Sequence, residues 1–307
     1  MTKTNVAAII PSKNYAKPKT KPWRNGVRLV VSFSMQLETG GHERVSENPF
    51  SLANPIPPEY PDLAAETWFR YGVNEGVHRL LEIWDKYKIK TTAHTIGGFA
   101  KTYPDLIRDI HHRGHEIAGH GMYWRAGQYK MTVEEETEFI ENNVKAIEDI
   151  TGERIVGYDA FWMRRSVNTM KILQKLGFIY QVNDLSRDEP FVTHVQGKRF
   201  VYLPYTLRNN DIMNIEARGW TADQHLSQLK REFDYLYEEG KTRRRHMSVS
   251  FHDRMGGTPA IASVTEEFIR YVQSKEGAVF MRKADIARMV MDDPDTLIDD
   301  SELMFNQ

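Results

Sequence analysis

Along almost all of its 307 residues, this chain alternates short β-branched or apolar runs with longer stretches whose apolar residues recur at helical spacing. That alternation constrains the fold more than any other feature, because strands joined by helices form a largely parallel sheet with covered faces. The pattern predicts strands at 27–34, 91–95, 115–120, 154–160, 178–183, 200–205, 247–252 and 278–281. The first reads as nearly unbroken apolar sequence, as for a strand buried on both faces. Helices are expected at 64–87, 102–112, 131–150, 166–176, 221–239, 263–275 and 283–291. Thr132 and Glu135 form a capping-box pattern for the third of these. Five prolines make 42–62 a long loop. No repeat or low-complexity linker divides the chain. The expectation is one α/β domain, a distorted (β/α) barrel over 27–291, with an extended arm at 1–26 and an acidic tail at 292–307.

Composition removes several function classes. The net charge of −1 gives no electrostatic case for nucleic acid or an anionic membrane as partner. With no cysteine there are no disulfides, no thiolate metal sites and no cysteine nucleophile, which suits a reducing cytoplasm. No apolar run is long enough to span a bilayer and no secretory leader pattern opens the chain, so a cytoplasmic location is expected. Charge is uneven only at the ends. Lys3, Lys13, Lys17, Lys19, Lys21 and Arg24 face no acid in the first 25 residues, and six acids face no base after 291. Such arms are expected to lie over their own or a neighbouring subunit.

In a parallel α/β barrel the polar residues at strand C-terminal ends build the active site. Here that rule selects 34–38, His94, 120–124, 158–165, 183–188, 205–211 and 252–254. His252 follows an apolar strand and can carry a proton near neutral pH. Glu38 lies in Gln36-Leu37-Glu38-Thr39-Gly40-Gly41, where it serves either as base and ligand for N–H groups or as a solvated loop acid. Arg164 and Arg165 offer guanidinium forks to a carboxylate or urea oxygen. The segment from Leu203 to Asp211 holds Tyr205, Asn209, Asn210 and Asp211, a set suited to a small ligand rich in amide groups.

The stretch Gly114-His115-Glu116-Ile117-Ala118-Gly119-His120 leads an imidazole to a strand end, while His115 at its start reads as structural. A second ligand four residues later would complete a metal grip, but Trp124 stands there and indole only donates. Either the site borrows ligands from elsewhere or it works without metal.

The order of these motifs resembles the polysaccharide deacetylase (NodB-homology) superfamily over about 27–290. That resemblance implies a hydrolase in which one Asp and two His hold a divalent metal, a second Asp is base and a late His is acid. Ser34 stands at the base position, Gln36 at the metal Asp and Trp124 at the second His. Asp159 replaces the arginine that pairs with the base, and Phe161 a nearby proline. Anion and counter-cation have thus gone together. The branch with a similar pattern of losses is the metal-independent allantoinases of uric acid catabolism. It is matched in Gln36 through Gly41, in His120 followed by Trp124, and in Leu203 through Asp211, while Arg125-Ala126-Gly127 and 158–165 depart from it. The resemblance also implies a homo-oligomer.

Three readings follow. In the first, a small cyclic amide, ureide or imide is hydrolysed without a tightly bound metal or other cofactor. Catalysis then falls to Glu38, His120 and His252, and substrate is held by Gln36, Trp124, Arg164, Asp188, Tyr205, Asn209 and Asp211. In the second, a metal at His120 supports N-deacetylation of a sugar or peptidoglycan-like substrate, with Glu38 or Asp188 as substitute ligand. In the third, the fold binds a ligand and catalyses nothing.

Overall fold

The computed structural model describes residues 20–40, 60–124 and 127–300. The loop expected at 42–62 falls almost entirely outside them, as do much of the N-terminal arm, Arg125-Ala126 and the end of the acidic tail. Strand β1 (Leu29–Leu37) is buried throughout and is hydrogen-bonded to neighbouring strands on both of its edges. It runs three residues beyond the expected end, which places Gln36 within the strand and Glu38 just after it. Its side chains alternate between two environments, as pleating requires. Leu29, Val31, Phe33, Met35 and Leu37 join the main apolar cluster beneath the helices. Ser32 and Ser34 instead bond across the interior, Ser32 to His246 Nε2 at 2.8 Å and Ser34 to Ser250 at 3.0 Å. The strand is thus buried on both faces, as expected, with its polar residues Ser32, Ser34 and Gln36 gathered on one of them.

Around it lie β2 (Thr92–Thr95), β3 (Glu116–Gly119), β4 (Gly157–Tyr158), β5 (Tyr180–Gln181), β6 (Phe191–Val195), β7 (Lys198–Tyr202), β8 (His246–His252) and β9 (Ala278–Phe280). Their order is β6-β7-β5-β4-β3-β2-β1-β8, with β9 also paired to β1. All pairs are parallel except β6 with β7. A bridge between Asn210 and Ser250 draws the segment after β7 toward β8 and curls the sheet into a distorted barrel. This is the single α/β domain that the alternation predicts. Strand β6 was not expected; its apolar residues follow Pro190 closely and carry no helix-length separation from β7.

The helices are α1 (Leu63–Tyr71), α2 (Val77–Lys86), α3 (Gly97–Thr102), α4 (Pro104–His112), α5 (Val133–Thr151), α6 (Thr169–Lys175), α7 (Ala222–Glu239), α8 (Asp253–Gly256), α9 (Pro259–Gln273) and α10 (Lys283–Asp292). The capping box of α5 is formed in both directions, a contribution of about 1 kcal/mol. The single helix expected at 64–87 is broken by a π-helical turn at Gly72–Gly76. Gly76 packs so closely on the start of α8 that a Cβ there would strike the Asp253 carbonyl.

Helix α10 closes the N-terminal end of the barrel. Its Lys283 enters the interior and donates to Ser32 at 3.0 Å and Ser248 at 3.1 Å. Beside it Glu116 accepts from Thr92, Tyr180 and the Ala284 amide. The described part of the acidic tail lies on its own domain: Asp293 pairs with Arg24 and Arg244, Asp299 with Arg187, and Ile298 bridges Val192.

Candidate active site

A cavity of about 480 Å³ opens at the C-terminal ends of the strands. Register explains what meets there. Gln36 pairs with His94 on one side and His252 on the other, so β1, β2 and β8 deliver polar side chains at one level. Strand β3 ends one residue before His120, and β4 one residue before Asp159. Polar residues on five segments thus reach one mouth through the curl of the sheet.

Glu38 sits at the centre, almost fully buried. Its carboxylate lies 2.9 Å from Arg254 Nη1, 3.4 Å from His120 Nε2 and 3.9 Å from His252 Nε2. Burial alone would raise its pKa, but the opposing charges of Arg254, His252 and His120 hold it well below the usual carboxylate range. Near neutral pH it is an anion, and such an acid is a weak proton acceptor.

His120 has its Nδ1 2.8 Å from the carbonyl oxygen of Asp159, and Nε2 faces Glu38. Burial works against its charge, yet Glu38 and Asp159 prevail and raise its pKa to about 9. Near neutrality it is an imidazolium that donates from both nitrogens. Neighbouring His94 behaves oppositely. Its Nδ1 is 3.1 Å from Asp159 Oδ2, but complete burial keeps its pKa below the ordinary value, so it meets the carboxylate as a neutral ring.

His252 is oriented by Asp211. Its Nδ1 lies 2.7 Å from Asp211 Oδ1, and its backbone N–H donates to Asp211 Oδ2 at 2.7 Å. Fixing a proton on Nδ1 leaves Nε2 to accept or give one, the arrangement that activates nucleophiles across unrelated hydrolases. Among the residues lining the cavity, Gln36 Oε1, Asp159 Oδ1 and Trp124 Nε1 are buried polar atoms with no hydrogen-bond partner among the described residues. Two acceptors and one donor left unpaired at a cavity suit a ligand bearing N–H groups and a carbonyl.

Of the residues singled out in the sequence, Gln36, Glu38, His120, Trp124, Arg164, Tyr205 and His252 line the cavity. Asp211 is fully buried behind His252 and holds it, so its expected contact with substrate is replaced by a positioning one. Asn209 is also buried away from the cavity, bonded to Glu232 and the Ser248 carbonyl. Its neighbour Asn210 lines the wall and donates to the Tyr205 hydroxyl at 2.6 Å. Asp188 is exposed, and its carbonyl accepts from His246 at the start of β8, the opposite end of that strand from His252. The chain after β5 turns back to begin the antiparallel β6, and this carries Asp188 away from the mouth. His115 accepts from the Thr91 amide at 3.1 Å, with burial lowering its pKa to about 4. The stretch around Met213 and Glu216, in a π-helical turn at Ile212–Ala217, lines the cavity without any signal in the sequence reading.

A divalent metal of the kind the resemblance implies needs several converging donors. Among the described residues no group of three or more His, Cys, Asp or Glu side chains could hold one. Both His120 nitrogens are already engaged, Trp124 can only donate, and the Arg254 guanidinium stands against the carboxylate. The side chains present do not fit such an ion.

Comparison with known proteins agrees with this architecture. The family model for polysaccharide deacetylase matches residues 64–180. A solved structure described as a probable polysaccharide deacetylase from Pseudomonas aeruginosa is 31% identical, covering 87% of this chain and 92% of its own, with a TM-score of 0.80. The structure of PuuE allantoinase is 30% identical, covering 90% and 93%, with a TM-score of 0.81. The peptidoglycan deacetylase of Helicobacter pylori is 25% identical over 69% of this chain and 82% of its own.

Proposed function

The chain belongs to the polysaccharide deacetylase family of hydrolases, and from that premise we propose that it opens a small cyclic amide, ureide or imide by adding water across a ring carbon–nitrogen bond, without a tightly held metal. The observation that carries the reading is the Asp211–His252 pair at the wall of a cavity whose other polar groups complement an amide. His252 Nε2 takes a proton as water attacks the ring carbonyl carbon. The resulting oxyanion is stabilised by the positive charge of the His120 imidazolium and by the Trp124 N–H, a fixed donor at the cavity. Collapse breaks the ring carbon–nitrogen bond, and His252 returns its proton to the departing nitrogen. Glu38 keeps His120 charged and both imidazoles aligned. Gln36 and Asp159 accept N–H groups of the ring. The allantoinase likeness supports a ring amide as substrate class, and the donor set supports chemistry by side chains alone.

The test is turnover of a panel containing hydantoin, allantoin, succinimide, a lactam, a lactone and an N-acetylglucosamine oligomer, before and after dialysis against a chelator. Hydrolysis of a ring amide that survives chelation is expected. Metal-requiring release of acetate from the sugar would overturn the reading, and so would binding of a ring amide with no turnover.

A further inference from the structure

The cavity is larger and more apolar than the proposed chemistry needs. If each non-hydrogen atom occupies about as much space as a liquid water, its volume of about 480 Å³ accommodates on the order of fifteen such atoms. An unsubstituted five-membered ring dione brings about seven. The polar groups already described stand on the strand ends. Most of the rest of the wall is apolar: Phe161, Trp162 and Met163 from one turn, which also brings Arg164, and Leu207, Ile212 and Met213 from a second stretch, which also brings Glu216.

The first of these turns is strained. Trp162 and Met163 adopt φ of 54° and 56°, left-handed backbone that disfavours bulky side chains. No glycine relieves either position, and the turn is held by the Met163 amide to the Ala160 carbonyl at 2.7 Å. Successive strained residues at a cavity are retained where the side chains they aim are used. Trp162 nevertheless remains 49% exposed, a large indole surface left in water at a cavity mouth. Both facts are accounted for if a ligand group covers that ring.

We propose that the substrate carries an aryl or branched-alkyl substituent beside its ring amide, and that the Trp162–Met163 turn is the surface that reads it. This rests on the ring-amide hydrolysis proposed above. Polar strand ends hold the reacting ring and apolar turns hold its substituent, so selectivity and chemistry come from different segments of the chain.

Paired substrates test this: hydantoin and 5-benzylhydantoin, with wild type, Trp162→Ala and Trp162→Phe. In wild type the benzyl compound is expected to exceed hydantoin in kcat/KM by tenfold or more. Trp162→Ala should narrow that ratio to below threefold, and Trp162→Phe should restore most of it. A wild-type ratio near one, or an unchanged ratio in Trp162→Ala, overturns the proposal while leaving ring hydrolysis in place. If wild type opens neither ring, calorimetric binding of the open-chain probe benzylurea decides. At least fivefold weaker binding to Trp162→Ala upholds the aryl wall though the reaction was misassigned, and equal binding overturns it.

Discussion

His120 and His252 are chemically the same side chain with different neighbours, and the neighbours set what each can do. His120 sits between Glu38 and the Asp159 backbone and is held protonated up to about pH 9. Its folded pKa lies above its unfolded value of about 6.5, so its contribution to stability is complete below that value and is lost as pH rises through 9. Replacing Glu38 with Gln removes the anion that sustains this charge. The His120 titration, followed by NMR of its ring protons, should then move down toward the ordinary range, and the alkaline limb of the pH–rate profile should move with it. An unmoved titration would refute the coupling. Asp211→Asn keeps the shape behind His252 but removes the charge that stabilises a protonated ring, so kcat should fall about 10²-fold or more with a smaller change in KM. Which of these residues gather at one mouth was legible, because strand ends were. The distinction between Asn209 and Asn210, adjacent and both polar, was not: a single step along an irregular turn sends one into the core and the other to the cavity wall.

At the scale of elements, the helix expected at 64–87 shows how packing edits a local pattern. Its apolar spacing is helical, but Gly72 and Gly76 fall where the chain meets α8, and the backbone widens into a π turn there. This contact supports α8, whose Arg254 neutralises Glu38. A methyl group at Gly76 would strike backbone, the Asp253 carbonyl first and Gly257 beside it, with no flexible side chain to give way. Gly76→Ala should therefore cost about 2 kcal/mol or more in urea unfolding and lower activity beyond the loss of folded protein, as Arg254 shifts. A variant as stable and active as wild type would show that the close approach is dispensable. Strand β6 and the full extent of β1 escape the sequence pattern for different reasons. Phe191–Val195 has strand-like composition but starts right after Pro190 and is separated from β7 by no helix, while Met35-Gln36-Leu37 at the end of β1 carries no β-branched residue and is interrupted by a polar one.

The whole molecule places a buried cation in the interior of its own barrel. Lys283 is fully buried, and burial lowers its pKa to about 8 although Glu116 and Asp159 pull the other way. Between about pH 8 and the unfolded value of about 10.5 the unfolded chain binds the extra proton, so this group makes stability rise with pH across that window. The His120 term falls over a lower and partly overlapping range. Comparing wild type with Lys283→Met isolates the lysine: the difference in unfolding free energy between them should shift in favour of wild type as pH rises from 8 to 10.5. A difference that is flat with pH would mean the ammonium is not desolvated. The apolar replacement removes a buried charge but leaves Ser32 and Ser248 without their donor, so both effects enter the absolute stability.

The sequence by itself determined the alternation of strands and helices, and with it a largely parallel α/β domain whose candidate site is expected at the strand C-terminal ends. These are properties of spacing and side-chain type within one segment. The family resemblance also implied that two of its metal ligands are replaced, by Gln36 and Trp124, since residue identity needs no coordinates. Only the tertiary structure decided that Lys283, Glu116 and the serines of β1 and β8 meet in the barrel interior, that Asp211 stands behind His252, that Glu38 is clamped by Arg254 and two imidazoles, and that Asp188 lies at the wrong end of the sheet. Each depends on segments far apart in the chain being brought within a few ångströms by the curl and register of the sheet, and electrostatic coupling exists only once that distance is set.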